Sequence, residues 1–323
     1  MSILILTALI STTASASEEV IWQSSESDCR IVADGDELSF IGCNVNVKSG
    51  SGTTASTNGL GNLVVGYNEA SGQSRGGSHN LVVGEEHEYT SHSGLVSGTN
   101  NTIAGLNAVA LAGANNSATI ESSAVLGGMG NTASGYGAVA LGGFGNAASG
   151  FGALAAGGGD NVASGSYAVA LGGELNLSNH WYAVALGGTD NAASGDYALT
   201  LGGEGGVASG EGAMTISGRS STASGDGAVT ISGGSSIASG EGAVVLGGDS
   251  NDATGRSSVA IGGYNNEASG ASSVTLGGFA NQAIGGNSVV SGGLISAAVG
   301  AYSTIVGTYG HSVSGFAAYE DGD

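Results

Sequence analysis

The chain has 323 residues, of which 64 are glycine, none is proline and 41% are hydrophobic. Collagen requires glycine at every third position together with proline, and disordered glycine-rich chains lack regularly spaced apolar residues, so both classes are excluded. The 26 acidic residues against five basic ones give a net charge of -21, which repels phosphate backbones and argues against nucleic acid as a partner.

Residues 1–16 have the pattern of a secretory signal peptide. An apolar run over residues 3–10 precedes Ala14-Ser15-Ala16, a small-residue cleavage pattern. The run is shorter than the about 20 residues needed to cross a bilayer, and no later segment qualifies. We therefore expect a secreted protein without a transmembrane segment, outside the cell or at its surface.

Residues 17–58 are not repetitive and are predicted to form a small β cap. Two short strands, residues 31–33 and 38–41, flank a turn, and residues 44–48 alternate like a third strand. Such a cap would cover the strand edge that the first coil of a solenoid exposes.

Both cysteines of the chain, Cys29 and Cys43, lie in this segment. In an exported chain the expected outcome is one disulfide, closing a loop of about 15 residues and stabilising the fold by about 3 kcal/mol. Two free thiols or a metal site are the alternatives, and no Cys-x-x-Cys or histidine pair lies nearby to favour the metal.

Residues 59–100 form a looser repeat with longer turns. The shared segment is Leu-Val-Val-Gly or Leu-Val-Ser-Gly, and it ends at Gly66, Gly84 and Gly98, at spacings of 18 and 14. The acidic turn at residues 85–88, with His79 and His92 nearby, is a weak candidate for a metal site. Its spacing fits no known ligand pattern, and an enlarged solvated turn explains the charges.

From residue 101 to residue 315 the chain repeats every fifteen residues. An asparagine column and a column of glycine pairs mark the period: Asn131, Asn146, Asn161, Asn176 and Asn191, and pairs beginning at Gly142, Gly157, Gly172, Gly187 and Gly202. Such a period marks a repeat architecture whose units stack on one another. Each unit is expected to hold two strands, residues 131–135 and 138–141. Its asparagine is expected either to bond its own backbone or to stack its amide on that of the next coil.

Side-chain alternation divides the second strand into two faces. We expect Val139 and Leu141 to fill the inside of the coil, and the small residues Ala138 and Ala140 to face outward. A continuous small, apolar outer flank would mark an interface between copies of the chain. The residues predicted to face this partner are Ala140, Ala170, Ala185, Thr200, Thr215, Thr230, Val245 and Ala260. In the first strand, Ala133 is expected inside and Ser134 outside.

The repeats resemble the head repeat of trimeric autotransporter adhesins, the YadA-like head, written roughly A-x-G-x-x-S-V-A-I-G. Residues 133–142 carry the likeness, and residues 255–262 and 270–277 are closest to it. The likeness covers about residues 94–315. It implies a left-handed parallel β-roll assembled as a homotrimer, with the outer strand face between chains, and a head that binds matrix or cell surfaces.

The predicted fold is therefore an all-β, left-handed parallel β-roll or solenoid with coils of about 15 residues and a small N-terminal β cap. Residues 316–323 are expected to form an acidic C-terminal tail. They show no heptad repeat like that of the adhesin stalk, so a secreted or separately tethered roll is expected.

Two columns of the repeat are candidate sites. An acidic column could hold Ca²⁺ between stacked carboxylates, although a solvated acidic edge is the favoured interpretation; it comprises Asp196, Glu211, Asp226 and Glu241. Aromatic residues could bind sugars or proteins by stacking, although packing between turns is the favoured interpretation; they are Tyr167, Trp181, Tyr182 and Tyr197. No other cofactor is indicated.

The five histidines are scattered and form no Ser-His-Asp arrangement, so an enzyme is not expected. The leading hypothesis is an extracellular adhesion or surface-interaction module that displays its turns to a surface or matrix component. An ice-binding solenoid is the alternative, for which Thr200, Thr215 and Thr230 form only a short threonine row. A structural spacer or sheath subunit is a further alternative.

Overall fold

The computed structural model describes residues 19–69, 72–216, 218–231 and 233–322, so the predicted signal peptide lies outside the described residues. Every regular element in these ranges is a β-strand, and none is a helix that could cross a bilayer. The strands are β1 (Glu19–Gln23), β2 (Arg30–Asp34), β3 (Glu37–Ile41), β4 (Leu63–Val65), β5 (Leu81–Glu85), β6 (Glu88–Tyr89), β7 (Leu95–Thr99), β8 (Thr102–Ile103), β9 (Val109–Leu111), β10 (Ser117–Ala118), β11 (Ala124–Leu126), β12 (Thr132–Ala133), β13 (Val139–Leu141), β14 (Ala147–Ala148), β15 (Leu154–Ala156), β16 (Val162–Ala163), β17 (Val169–Leu171), β18 (Leu177–Ser178), β19 (Val184–Leu186), β20 (Ala192–Ala193), β21 (Leu199–Leu201), β22 (Val207–Ala208), β23 (Met214–Ile216), β24 (Thr222–Ala223), β25 (Val229–Ile231), β26 (Ile237–Ala238), β27 (Val244–Leu246), β28 (Asp252–Ala253), β29 (Val259–Ile261), β30 (Glu267–Ala268), β31 (Val274–Leu276), β32 (Gln282–Ala283), β33 (Val289–Ser291), β34 (Ala297–Ala298), β35 (Thr304–Val306), β36 (Ser312–Val313) and β37 (Tyr319–Asp321).

The chain divides into two compact units, Met1–Val47 and Lys48–Asp323. The first holds an antiparallel sheet in the order β1-β2-β3, with the predicted hairpin between β2 and β3. The disulfide Cys29–Cys43 is confirmed, with the two Cα atoms 4.7 Å apart. The third strand predicted at residues 44–48 is wrong: these residues form no strand, and the third strand of the sheet is β1, which pairs with β2.

The second unit is a parallel β-solenoid of about 17 coils. One sheet runs β4-β5-β7-β9 and on through the odd-numbered strands to β37, and a second runs through the even-numbered strands from β6 to β36. In the regular coils each strand residue pairs with the one fifteen positions later, as Ala140 does with Ala155. The predicted period and the irregular early spacings, Leu63 to Leu81 to Leu95, are confirmed.

Two further features of the solenoid differ from the sequence prediction. Single residues such as Phe144 and Gly159 pair by isolated parallel bridges, so each coil has a third ladder where only a turn was predicted. At the other end of the chain, β37 pairs with β35, so the predicted acidic tail continues the solenoid.

The two faces of the long strands are the reverse of the prediction. Ala140 is 0% exposed and Leu141 is 36% exposed, so the small side chains point inward and the large ones outward. A coil of fifteen residues folded into three ladders has a narrow interior, which small side chains fill. All the residues predicted to face a partner are therefore buried inside the coil: Ala140, Ala170, Ala185, Thr200, Thr215, Thr230, Val245 and Ala260. The short strands follow the prediction, with Ala133 inside and Ser134 outside.

The asparagine column forms a buried ladder, as its spacing predicts. The Oδ1 of Asn131 accepts the backbone N–H of Asn146 at 2.9 Å. The Nδ2 of Asn146 donates to the carbonyls of Gly142 at 3.0 Å and Gly158 at 3.4 Å. Gly143, at φ +78°, has no room for a Cβ beside the Gly158 carbonyl and the Asn146 amide. The ladder therefore requires both an amide and a glycine in each coil.

Candidate functional site

An aromatic ladder runs along the turns that join each short strand to the next long strand, such as residues 136–137 and 196–197. The stack of these turns is named the display edge. Tyr136 stacks on Phe151 with ring centroids 5.4 Å apart and planes 5° apart. Tyr167, Tyr182 and Tyr197 stack likewise, with centroid distances of 5.1 and 5.3 Å. An edge-on contact between Phe151 and Tyr167, at 73°, joins the two stacks into one run of five rings.

The edge-on contact reflects a change of position within the turn. Tyr136 and Phe151 occupy its first position, whereas Tyr167, Tyr182 and Tyr197 occupy the second, with φ of +57°, +53° and +59°. Left-handed backbone costs a non-glycine residue about 1–2 kcal/mol, which explains why glycine takes the second position in many other coils. Each stacked pair contributes about 0.5–1.5 kcal/mol and offsets much of that cost.

The predicted aromatic residues are only partly brought together. The three tyrosines share one stack, while Trp181 lies beside it at the first turn position and is exposed. The backbone N–H of Trp181 donates to Asp196 Oδ1 at 3.1 Å. Tyr136 and Phe151 complete the ladder, and their own fifteen-residue spacing is the signal that marks them.

The acidic column continues the display edge beyond the aromatic ladder. Asp196, Glu211, Asp226 and Glu241 occupy the first turn position in four successive coils. Asp226 Oδ1 accepts the backbone N–H of Glu211 at 3.2 Å, and Glu241 pairs with Arg256 at 3.4 Å. Across the described ranges, no three acidic, histidine or cysteine side chains come together in a group that could hold a metal. The predicted calcium site is therefore not formed among the described residues.

The histidines near the early acidic turn have structural partners. His87 is buried and takes the place of a ladder asparagine: its Nδ1 accepts the N–H of Asn101 at 3.3 Å. Its Nε2 then carries the proton and donates to the Val83 carbonyl at 3.0 Å. The ring of His79 accepts the N–H of Ser49 at 3.1 Å.

An apolar strip runs along the outside of the long strands. It consists of the two outward positions of each strand, which stack in register from coil to coil. The first position carries Val139, Leu154, Val169, Val184, Leu199, Met214, Val229, Val244, Val259 and Val274; the second carries Leu141, Ala156, Leu171, Leu186, Leu201, Ile216, Ile231, Leu246, Ile261 and Leu276. All are half-buried or exposed, so the solenoid carries an apolar outer face along its length.

The threonine row considered for ice binding lies inside the coil. Thr200, Thr215 and Thr230 are buried, so their hydroxyls form no surface lattice. Thr215 Oγ1 donates to the Val207 carbonyl at 3.1 Å, while the hydroxyls of Thr200 and Thr230 have no partner among the described residues. The ice-binding alternative thus loses the residues that were considered to support it.

No protein-family model matches the chain, and no curated protein matches it in sequence. The likeness to adhesin heads consequently rests on the repeat itself and on the parallel β-roll that the repeat forms. The display edge and the apolar strip are the two surfaces that could contact a partner.

Proposed function

We propose that the chain is a non-enzymatic, extracellular adhesion or surface-interaction protein. In this proposal three copies assemble through the apolar strip and present their display edges to a matrix or cell-surface component. The observation that carries the proposal is the strip itself, a stack of Val, Leu and Ile side chains left partly exposed in the single chain.

Covering the apolar strip is energetically favourable. Full burial of a leucine or isoleucine contributes about 1.5–3 kcal/mol, so covering the exposed third of Leu141 or Ile231 contributes up to about 1 kcal/mol each. The serine row of the short strands, which includes Ser194 and Ser209, offers no comparable gain. Because the strip repeats along the coils, a second copy of the chain presents the matching surface.

Two observations support the trimeric, extracellular form of the proposal. The repeats resemble the heads of trimeric adhesins, and with the faces corrected, the Val and Leu positions of the repeat are the outward ones. The Cys29–Cys43 disulfide is typical of proteins in oxidising compartments.

The oligomeric mass in solution tests the assembly. The double variant Leu186→Glu/Leu201→Glu places two charges on the apolar strip. The matched variant Ser194→Glu/Ser209→Glu places two charges in the serine row of neighbouring coils. We expect sedimentation equilibrium to give a trimer for the parent and the serine variant, and a monomer with unchanged β-structure for the leucine variant. A strictly monomeric parent with intact β-structure would overturn the trimer.

Adhesion is tested separately with beads coated in the protein. We expect coated beads, but not albumin-coated ones, to adhere to surfaces covered with extracellular-matrix proteins or to cultured cells. A trimer whose beads adhere to neither would instead be a structural spacer or sheath subunit.

A further inference from the structure

The aromatic ladder ends at Tyr197, and the last ring has one uncovered face. Tyr182 stacks on one side of Tyr197, with planes 7° apart. On the other side the equivalent turn position is Gly212, where even a Cβ would meet nothing within 4 Å. Tyr197 is accordingly 59% exposed, against 44% for Tyr182 inside the stack. A planar ligand group or a cation has room on this face.

Carboxylates occupy the turn positions next to Tyr197 and next to Gly212. Asp196 precedes Tyr197 in the turn, and Glu211 precedes Gly212 one coil further on, at about the 4.8 Å spacing of adjacent strands. One oxygen of Asp196 accepts the Trp181 N–H of the preceding coil, so this carboxylate is turned toward the covered side of Tyr197. The Glu211 side chain is exposed and has no hydrogen bond or ion pair among the described residues, in contrast to Glu241, which pairs with Arg256.

We infer that the uncovered Tyr197 face, together with Glu211 of the next coil, binds a lysine or arginine side chain of a polypeptide partner. The negative face of an aromatic ring attracts a cation, the Glu211 carboxylate complements its charge, and the Asp196 carboxylate adds to the negative potential of the edge. A metal ion fits less well, because it needs more oxygen ligands than the two carboxylates supply.

The inference rests on the proposed display role and gives the displayed edge a chemical class of partner. It does not depend on the trimer, because the site is built from neighbouring turns of one chain. Binding of a cationic peptide and oligomeric mass are therefore separate measurements that can fail independently.

The test uses Trp181 as the reporter in the full chain. The chain has two tryptophans, so Trp22→Phe leaves Trp181 alone. The probe is a short peptide of alternating glycine and arginine, compared with the same peptide in which citrulline, of nearly the same shape but uncharged, replaces arginine. We expect saturable change of Trp181 fluorescence with the arginine peptide, weakened by added salt, and at least about tenfold weaker binding of the citrulline peptide.

Two variants test the uncovered face directly. Tyr197→Leu removes the aromatic face while an apolar side chain still covers Tyr182, and Glu211→Gln removes the carboxylate of the next coil and leaves the ring in place. Each should weaken binding of the arginine peptide about fivefold to tenfold. The matched control Glu174→Gln removes one negative charge in the third ladder, away from this turn, and should bind like the parent.

Equal affinity for the arginine and citrulline peptides, or unchanged binding in both Tyr197→Leu and Glu211→Gln with β-structure intact, would overturn the inference. A monomeric parent that still binds the arginine peptide would contradict the trimer and support the cation site. A trimer that adheres to surfaces but does not bind the peptide would support the proposed function and contradict the cation site.

Discussion

Two stretches of the solenoid fill the same fifteen-residue coil in different ways. In the stretch from Asn131 to Asn191 the interior is an unbroken amide ladder, whereas the next three coils carry Gly206, Ser221 and Ser236 at that position. Asn161, within the ladder, accepts the N–H of Asn176 at 3.0 Å and donates to the carbonyls of Gly157 and Gly173. Ser221 Oγ, within the gap, has no partner among the described residues.

The gap has larger side chains and fewer hydrogen bonds than the ladder, although Ser236 Oγ accepts the Asn251 N–H at 3.3 Å. Where the amides are missing, Thr215, Thr230 and Val245 follow nine residues later in place of the alanines of the long strand. A Cβ at Gly206 would lie 3.1 Å from the Thr215 γ-methyl, so the threonine fills space beside the glycine. The coil spacing thus needs a filled interior, while the ladder adds more hydrogen bonds in each coil than the gap has.

The largest expected effect comes from replacing an asparagine of the ladder by the serine found in the gap. Asn161→Ser removes the partner of the Asn176 N–H and of the Gly157 carbonyl in a site lined by alanine, while the Gly173 carbonyl keeps the N–H of Gly159. A buried polar group left unpaired costs about 1–3 kcal/mol, so we expect a loss of about 3 kcal/mol or more. Urea unfolding measures the loss, and amide hydrogen exchange shows whether the opening is local to these coils.

The control for this substitution adds the threonine that accompanies serine in the gap. Asn161→Ser/Ala170→Thr reproduces the nine-residue relation of Ser221 to Thr230 and should recover the cavity part of the loss. If Asn161→Ser alone is neutral, the ladder is not what stabilises these coils.

The converse change extends the ladder into the gap. Ser221→Asn/Thr230→Ala supplies an amide that can accept the Ser236 N–H and donate to the Gly233 carbonyl, with room made by the alanine. We expect a gain of about 1–2 kcal/mol in the free energy of unfolding. Ser221→Asn alone should give a smaller gain, because Thr230 leaves less room than alanine, although Asn266 and Thr275 are buried together in the same relation. A single variant as stable as the double variant would show that Thr230 does not crowd the amide.

Two neighbouring threonines separate volume from hydrogen bonding. Thr230→Val keeps the shape and removes a hydroxyl without a partner, so we expect stabilisation by about 1 kcal/mol. Thr215→Val removes a hydroxyl that donates to the Val207 carbonyl, so we expect destabilisation of similar size. Thermal unfolding of the two variants should therefore shift in opposite directions, and a shift of the same sign in both would contradict the assigned partners.

The period, the parallel pairing and the amide ladder could be predicted because in-register stacking requires the same residue at the same place in every coil. Alternation showed that Val139 and Leu141 share a face but not which face is inside. That choice depends on the width of the coil, which the third ladder at Phe144 sets. A one-residue bridge has no periodicity of its own in the sequence, so the third ladder was missed.

The candidate site was predicted in the same partial way. Spacing placed Tyr167, Tyr182 and Tyr197 in one column, and the structure stacks them. Spacing also placed Asp196 and Glu211 in a row, but a row along an exposed edge does not surround an ion as a calcium site must. The ladder stops at Tyr197, and only the structure shows that the space on the far side of this ring is open.

The smallest expected effect concerns charge on the outer face next to the gap. It tests whether this charge, rather than the missing amides inside, lowers the free energy of unfolding of these coils. Asp252 lies on the outer face of β28, beside Asn251, where the ladder resumes. Burial, and then the carboxylate of Glu267, raise the pKa of Asp252 above its ordinary 3.8, while a hydrogen bond from the Ile237 backbone lowers it. Because the pKa is higher in the folded state, the contribution to stability is complete below the unfolded pKa and is lost as pH rises through the folded pKa.

Asp252→Asn cannot lose that contribution, so its stability relative to the parent should increase as pH rises from about 3 to 7, by less than about 1 kcal/mol because the carboxylate is only partly buried. Urea midpoints of both proteins across this range measure the difference. Glu267→Gln removes only the second cause and should show a smaller increase. Asp252→Asn could instead stabilise the protein at neutral pH as much as Ser221→Asn/Thr230→Ala does. Charge repulsion on the outer face would then lower the free energy of unfolding as much as the gap in the amide ladder does.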